Sequence, residues 1–237
     1  MRRRGLLQWL GVAVVMWVVL TMTPVVLLRW VDPFSSAFML SARLEAMFAG
    51  DFRYRNRYQW VDFERISPNA GLAVIAAEDQ QFAFHYGFDL KSIREAAEHN
   101  ERSKRVRGAS TISQQLAKNL FLWSGKSYVR KGIEAWFTML IELMWPKQRI
   151  LEIYLNIAEF GRGVYGVEAA SKKFYRHSAA RLSRREAAAL AAVLPNPARL
   201  LANKPSRYVV SRREWIVSQM RALGGPRYMK QIESPPD

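Results

Sequence analysis

The sequence predicts a mainly α-helical protein held to a membrane by one N-terminal transmembrane helix. Three observations carry that expectation. An uncharged run from Gly5 to Leu28 follows three arginines. Beyond residue 70, apolar residues recur again and again at helical spacing. No segment alternates apolar and polar residues convincingly, as a half-buried strand would.

The anchor comes first. Its 24 residues, at a rise of ~1.5 Å each, span about 36 Å, more than the ~30 Å hydrocarbon core of a bilayer. Only Gln8, Thr21 and Thr23 are clearly polar, and Pro24 sits near the far end, where a kink is tolerated. A cleaved signal peptide would have a shorter apolar region, ~7–15 residues, followed by a small-residue cleavage site. No good site precedes Ser35. Arg2, Arg3 and Arg4 place the N-terminus in the cytoplasm by the positive-inside rule, so the rest of the chain would face the outside of the inner membrane. The plan is then a cytoplasmic tail at 1–4, a transmembrane anchor at 5–28, a membrane-proximal segment at 29–70, a helical domain at 71–223 and a loosely ordered tail at 224–237.

In the membrane-proximal segment, Phe38, Met39, Leu40, Leu44, Met47 and Phe48 fit a helix. Arg53, Tyr54, Arg55, Arg57, Tyr58 and Trp60 then interleave bases with aromatics. This mixture suits lipid headgroups; it also suits an ordinary packed helix and a solvated basic loop. Ser67-Pro68-Asn69 marks a turn and a helix start.

Helices are then expected at Leu72 to Glu78, Lys91 to Asn100, and Ser110 to Leu122 with a hydroxyl cap. Tyr128 to Trp145 carries Ile133, Phe137, Leu140, Ile141 and Met144 near one face, and Pro146 stops it. Arg149 to Phe160 and Glu168 to Phe174 follow. Ser183 caps Arg184 to Leu194, with Glu186 as its third residue. Ser206 to Leu223 is the last helix.

Composition excludes several chemistries. There is no cysteine, hence no disulfide, thiolate metal site or cysteine nucleophile. His85, His99 and His177 are the only histidines and are not at zinc-ligand spacing. No motif names a cofactor, and none decides a divalent-metal dependence. The formal net charge is +16; residues 1–33 account for +3, leaving +13 on the remainder. That surface asks for a polyanionic partner: nucleic acid, an anionic bilayer or a phosphorylated substrate. The anchor argues against nucleic acid.

Two stretches carry chemistry. Glu78 ends an apolar run, Leu72 to Ala77, and is followed by Asp79, Phe82 and His85. A carboxylate there is partly desolvated, which raises its pKa and suits it to general acid or base work. The plainer reading is an exposed charge at a helix end. The second stretch, Arg107 to Asn119, turns at Gly108 into a helix that opens with Ser110 and Thr111 and continues through Gln114, Gln115, Lys118 and Asn119. Helix N-termini favour anions. Lys126, Arg130 and Lys131 follow, and Arg130 shares a helix face with Glu134, four residues on. A surface salt bridge would give the same spacing. Together the segments offer a pyrophosphate clamp with a second carboxylate beside it.

Five blocks, AAEDQQFAFHYGFD (76–89), RGASTISQQLAKNLFL (107–122), RKGIEAWFTMLIE (130–142), RILEIYLNIAEFGRGVYGVEAAS (149–171) and EAAALAAVLPNPARL (186–200), resemble in order and spacing the glycosyltransferase module of peptidoglycan synthases, most closely its monofunctional members. The resemblance implies a lysozyme-like helical lobe with a smaller membrane-associated lobe. It implies lipid II and the growing glycan strand as substrates, and undecaprenyl pyrophosphate as the released carrier. The family's essential glutamate falls on Glu78 and its second on Glu134. Phosphate-binding positions fall on Lys118 and Lys126, with Arg130 and Lys131 close by. Ser110, Thr111, Gln114 and Gln115 fall on the cleft-lining block, and Asn119 lies beside Lys118. Asp79, Phe82 and His85 are expected to support Glu78. Position 133 is Ile, where some members carry a basic residue that touches phosphate.

On this reading Glu78 is the base, and Lys118, Lys126 and Arg130 offset the leaving group's charge. Glu134 orients those cations in preference to protonating the phosphate. Anionic lipids of the inner membrane and cell-wall synthesis proteins are the expected partners. No Ser-x-x-Lys and no Lys-Thr-Gly occurs, so no cross-linking activity is expected. Two rivals remain: a lytic enzyme on a lysozyme-like fold, which needs no pyrophosphate clamp, and an inactive membrane-anchored scaffold.

Overall fold

The computed structural model describes residues 2–102, 108–125 and 127–233. Eleven α-helices, two one-turn 3-10 helices and three very short strands make up the regular structure of the described residues, so the mainly helical expectation holds.

α1 (Arg2–Leu28) is the apolar helix, with Pro24 inside it. Gln8–Leu28 is long and apolar enough to cross a membrane, with a mean hydropathy of 2.3. Trp9, Leu10, Val15 and Leu20 face outward, whereas Thr21 and Val25 are buried against α6 (Tyr128–Met144). The seam is closed by polar bonds. Trp136 Nε1 donates to Thr21 Oγ1 at 3.1 Å, and Trp145 Nε1 donates to the Val25 carbonyl at 2.7 Å. The last four carbonyls of a helix lack partners within it. Here Arg29, Trp30 and Val31 N–H groups serve Val26 and Leu27, Trp145 serves Val25, and Arg149 donates to Leu28 from Nε and Nη2 at 3.1 and 3.0 Å. Arg149 also bonds the Val31 carbonyl and Asp32, so one cation secures the exit of the anchor.

α2 (Ala37–Phe48) is capped by Ser36, whose hydroxyl accepts from Met39 N. Met39 is buried inward, but Leu40, Leu44, Met47 and Phe48 point outward, Phe48 being 90% exposed. An outward apolar row at helical spacing is the pattern of a surface that does not face bulk water.

α3 (Pro68–Glu78) is apolar on every side, as a helix must be when it runs through the core. It packs against α9 (Arg184–Val193) and α10 (Arg207–Ala222). α9 has the expected capping box between Ser183 and Glu186. α4 (Leu90–Arg102) is a surface helix that buries only Ala96. α5 (Ile112–Phe121) lies between α6 and α7 (Lys147–Ile157). α8 (Val167–Tyr175) follows the strands.

Three differences from the sequence reading stand out. A small sheet exists: β1 (Arg57–Tyr58) runs parallel to β3 (Val164–Tyr165), which pairs antiparallel with β2 (Glu159–Gly161). Elements of two or three residues are too short to show alternation. For the same reason the helix expected to reach Phe160 ends at Ile157. Gly166 follows the sheet at φ +85°, and a β-carbon there would stand 2.5 Å from the Asn156 carbonyl oxygen. Finally, the tail expected to be loose contains α11 (Pro226–Glu233), whose Tyr228, Met229 and Ile232 are buried. Gly71 of α3 admits it: a β-carbon there would stand 3.0 Å from the Met229 methyl group.

Candidate active site

α3 delivers Glu78 at its C-terminal end, and α5 runs beside it. Gln115 Nε2 donates to Glu78 Oε2 at 2.9 Å, and the Tyr154 hydroxyl donates to Gln115 Oε1 at 2.9 Å. Burial raises the pKa of Glu78. The Gln115 bond and the charges of Arg212 and Lys118 pull the other way, and neighbouring Asp79 pushes it up. Glu78 is therefore a partly desolvated carboxylate at the end of an apolar helix, as its sequence position implied.

Asp79 turns inward. Its Oδ2 accepts the Ile112 N–H at 2.9 Å, at the N-terminus of α5, where donors are free and the helix dipole favours an anion. Both its oxygens lie within 3.0 Å of His85 Nε2. His85 Nδ1 accepts from Gly87 N at 3.1 Å, so Nε2 carries the proton given to Asp79. Phe82 is fully buried under this loop.

A cationic cluster lies further along. Glu134 is 3% exposed and is held by Arg130 Nη1 at 2.7 Å and by Lys131 Nζ. Arg130 Nε also donates to the Gly125 carbonyl. Lys118 stands 5.5 Å over the Phe38 ring and makes no hydrogen bond or ion pair among the described residues. Burial lowers its pKa; Glu134 opposes that shift, Arg130 and Lys131 add to it, and Glu78 opposes it. Lys118 thus feels both carboxylates, and three cations against one buried glutamate leave this cluster positive. Beside Lys118, Asn119 Oδ1 is buried without a hydrogen-bond partner.

A family model described as Transglycosylase matches residues 45–221. The chain belongs to the transglycosylase family. Relatives of this transglycosylase are similar along nearly its whole length. The biosynthetic peptidoglycan transglycosylase of Xanthomonas euvesicatoria pv. vesicatoria is 53% identical over 97% of this chain and 92% of its own. That of Cronobacter sakazakii is 54% identical over 96% and 91%, and that of Pseudomonas entomophila 53% over 89% of each.

In this transglycosylase the structure gathers Glu78, Asp79, His85 and Gln115 at one end of the site, Glu134, Arg130 and Lys131 at the other, and sets Lys118 where it feels both carboxylates. Lys126 and Arg107 lie outside the described residues. Thr111 and Gln114 stand at the N-terminus of α5, where a hydroxyl cap was expected. They form the capping box of α5, and Thr111 Oγ1 also donates to the Gly87 carbonyl at 2.7 Å, so the Thr111 hydroxyl and the Gln114 amide oxygen are engaged by the fold. Ser110 is exposed before the cap. Ile133 packs against the core and offers no charge to a phosphate.

Sequence reasoning missed four groups. Tyr154 comes from α7. Arg212 of α10 donates to the Ala77 carbonyl at 3.0 Å and stacks 4.2 Å over Trp215. Glu142 accepts from Ser113 and pairs with Lys147 at 2.8 Å, and Lys147 also bonds the His85 carbonyl at 2.6 Å. Lys147 therefore stitches the Glu78 loop to α6. Among the described residues no group of three or more His, Cys, Asp or Glu side chains gathers as metal ligands.

Proposed function

We propose that this chain polymerises lipid II into glycan strands, with release of undecaprenyl pyrophosphate. The single observation that carries the reading is the arrangement of Glu78 and Lys118: a desolvated carboxylate that feels the charge of a half-buried lysine on the edge of a positive cluster. Glycosyl transfer needs a base for the incoming hydroxyl and fixed positive charge for an anionic leaving group.

Glu78 takes the proton of the acceptor's N-acetylglucosamine 4-hydroxyl. That oxygen attacks the anomeric carbon of the donor strand's N-acetylmuramic acid from the face opposite the pyrophosphate. The carbon–oxygen bond to pyrophosphate breaks, its electron pair leaves with undecaprenyl pyrophosphate, and α becomes β. A raised pKa makes Glu78 a stronger base than an ordinary carboxylate. Lys118, Arg130 and Lys131 offset the charge that grows on the phosphate. Glu134, already bonded to two of these cations, holds them in place.

The membrane topology supports the same reading. Arg2 to Arg4 keep the N-terminus in the cytoplasm, α1 crosses the inner membrane once, and the catalytic domain lies in the periplasm. The outward apolar row of α2 rests among anionic lipid headgroups, next to a substrate whose tail stays in the bilayer. With no Ser-x-x-Lys and no Lys-Thr-Gly, the strands are left uncross-linked by this chain.

The test is to incubate the detergent-solubilised protein with labelled lipid II. Polymer that a muramidase digests, with undecaprenyl pyrophosphate released in step, supports the proposal. Cleavage of preformed glycan without polymer would replace it with a lytic activity. Binding without either reaction would point to a scaffold.

A further inference from the structure

We propose that Tyr154 is a positioning residue for the base: its hydroxyl fixes the Gln115 amide so that Gln115 caps Glu78 Oε2 and leaves Oε1 as the oxygen that takes the proton. The inference rests on the reading of Glu78 as base.

An amide side chain has an accepting end and a donating end, and turning it over exchanges them. Here the Tyr154 hydroxyl occupies Gln115 Oε1 at 2.9 Å, and the amide nitrogen faces Glu78 Oε2 at 2.9 Å. Turned over, the amide oxygen would face an ionised carboxylate, two acceptors with no proton between them. Tyr154 is 1% exposed, and burial, with Glu78 and Asp79 adding to it, pushes its phenol well above the ordinary value. It therefore stays protonated and remains a donor. No other donor reaches Gln115 Oε1 among the described residues, so the phenol is what holds the oxygen end of the amide while the carboxylate takes its nitrogen end. Glu78 Oε1 has no hydrogen-bond partner among the described residues and is the oxygen left for the acceptor's proton.

The charged and titratable groups facing Glu78 are Asp79 at the end of α3, Lys118 on α5, Tyr154 on α7 and Arg212 on α10. None of them replaces the neutral donor that Gln115 supplies. If Tyr154 loses its hydroxyl, the oxygen end of the amide loses its anchor, the hydrogen bond that favours the charged form of Glu78 weakens, and its pKa climbs further.

The experiment uses the full chain in detergent with lipid II, and compares wild type, Tyr154→Phe, Gln115→Leu and the double variant over a range of pH. Tyr154→Phe keeps KM, lowers kcat near neutral pH roughly tenfold, as loss of one hydrogen bond to a charged group does, and moves the acid limb of kcat to higher pH. Gln115→Leu moves the limb the same way. In the Gln115→Leu background, Tyr154→Phe adds no more than about a twofold loss, because its route to Glu78 is already gone. An unmoved acid limb in Tyr154→Phe would overturn the proposal, and so would an equal loss in both backgrounds, which marks a purely structural tyrosine. Should Tyr154→Phe lose its fold, Gln115→Leu decides alone: an unmoved limb there overturns it. Absence of polymer from the wild type would instead remove the base reading on which this role stands.

Discussion

Arg130 and Glu134, one helical turn apart on α6, are joined at 2.7 Å and are both buried. The pair carries the positive end of the site. Removing one partner of a buried pair leaves the other uncompensated, at a cost of about 3 kcal/mol. Glu134→Gln is expected to lower the melting temperature and to raise the KM for lipid II, since Arg130 and Lys131 lose the group that holds them. Thermal melts beside steady-state kinetics check this. A fall in kcat with an unchanged KM and melting temperature would instead assign Glu134 to the chemical step.

Thr111 tests the difference between a substrate contact and a cap. Its hydroxyl serves Gln114 N and the Gly87 carbonyl. Thr111→Ala is expected to cost roughly 1–2 kcal/mol of stability, while Thr111→Ser retains it and the KM for lipid II stays near wild type. A raised KM with no loss of stability would return Thr111 to the cleft.

Arg149 joins the anchor to the domain. Its guanidinium holds the Leu28 and Val31 carbonyls, Asp32 and Glu152. In Arg149→Ala the end of α1 loses its cap, and the segment between residues 29 and 36 is expected to become several-fold more sensitive to protease in detergent. Unchanged cleavage there would show that the two tryptophan bonds, Trp136 to Thr21 and Trp145 to Val25, hold the seam without it.

The pH dependence follows from the raised pKa of Glu78. As a base it must be ionised, so activity is expected to rise with pH through a value above the ordinary carboxylate range. Stability runs the other way. A folded-state pKa above the unfolded value contributes stability below the unfolded value, ~4.3, and that contribution is lost as pH rises through the folded value. Near neutral pH the ionised Glu78 is therefore a burden on the fold, and Glu78→Gln, which keeps an acceptor for Gln115, is expected to melt no lower than wild type. A clearly lower melting temperature would mean that the carboxylate stabilises the fold.

The parts legible in the sequence were those written locally. The Ser183–Glu186 box, the stop at Pro146, the shared face of Arg130 and Glu134, and the apolar run ending at Glu78 depend on residues a turn or two apart. The missed parts join distant segments. Tyr154 and Gln115 are 39 residues apart and Arg212 and Ala77 are 135, and no periodicity records such a meeting. The hydroxyl cap at the start of α5 was legible, but not that Gln114 would complete it as a capping box, because a capping box and a polar cleft use the same residue types. α11 was hidden by its shortness and by the Gly224-Gly225 before it, although Tyr228, Met229 and Ile232 share one face.

The central claim is that Glu78 is the base for glycan polymerisation. The most direct measurement compares wild type and Glu78→Gln for both lipid II binding and polymer formation under one set of conditions. The account predicts that both bind lipid II with similar affinity and that only the wild type makes polymer. Polymer from Glu78→Gln at a rate near wild type would contradict it.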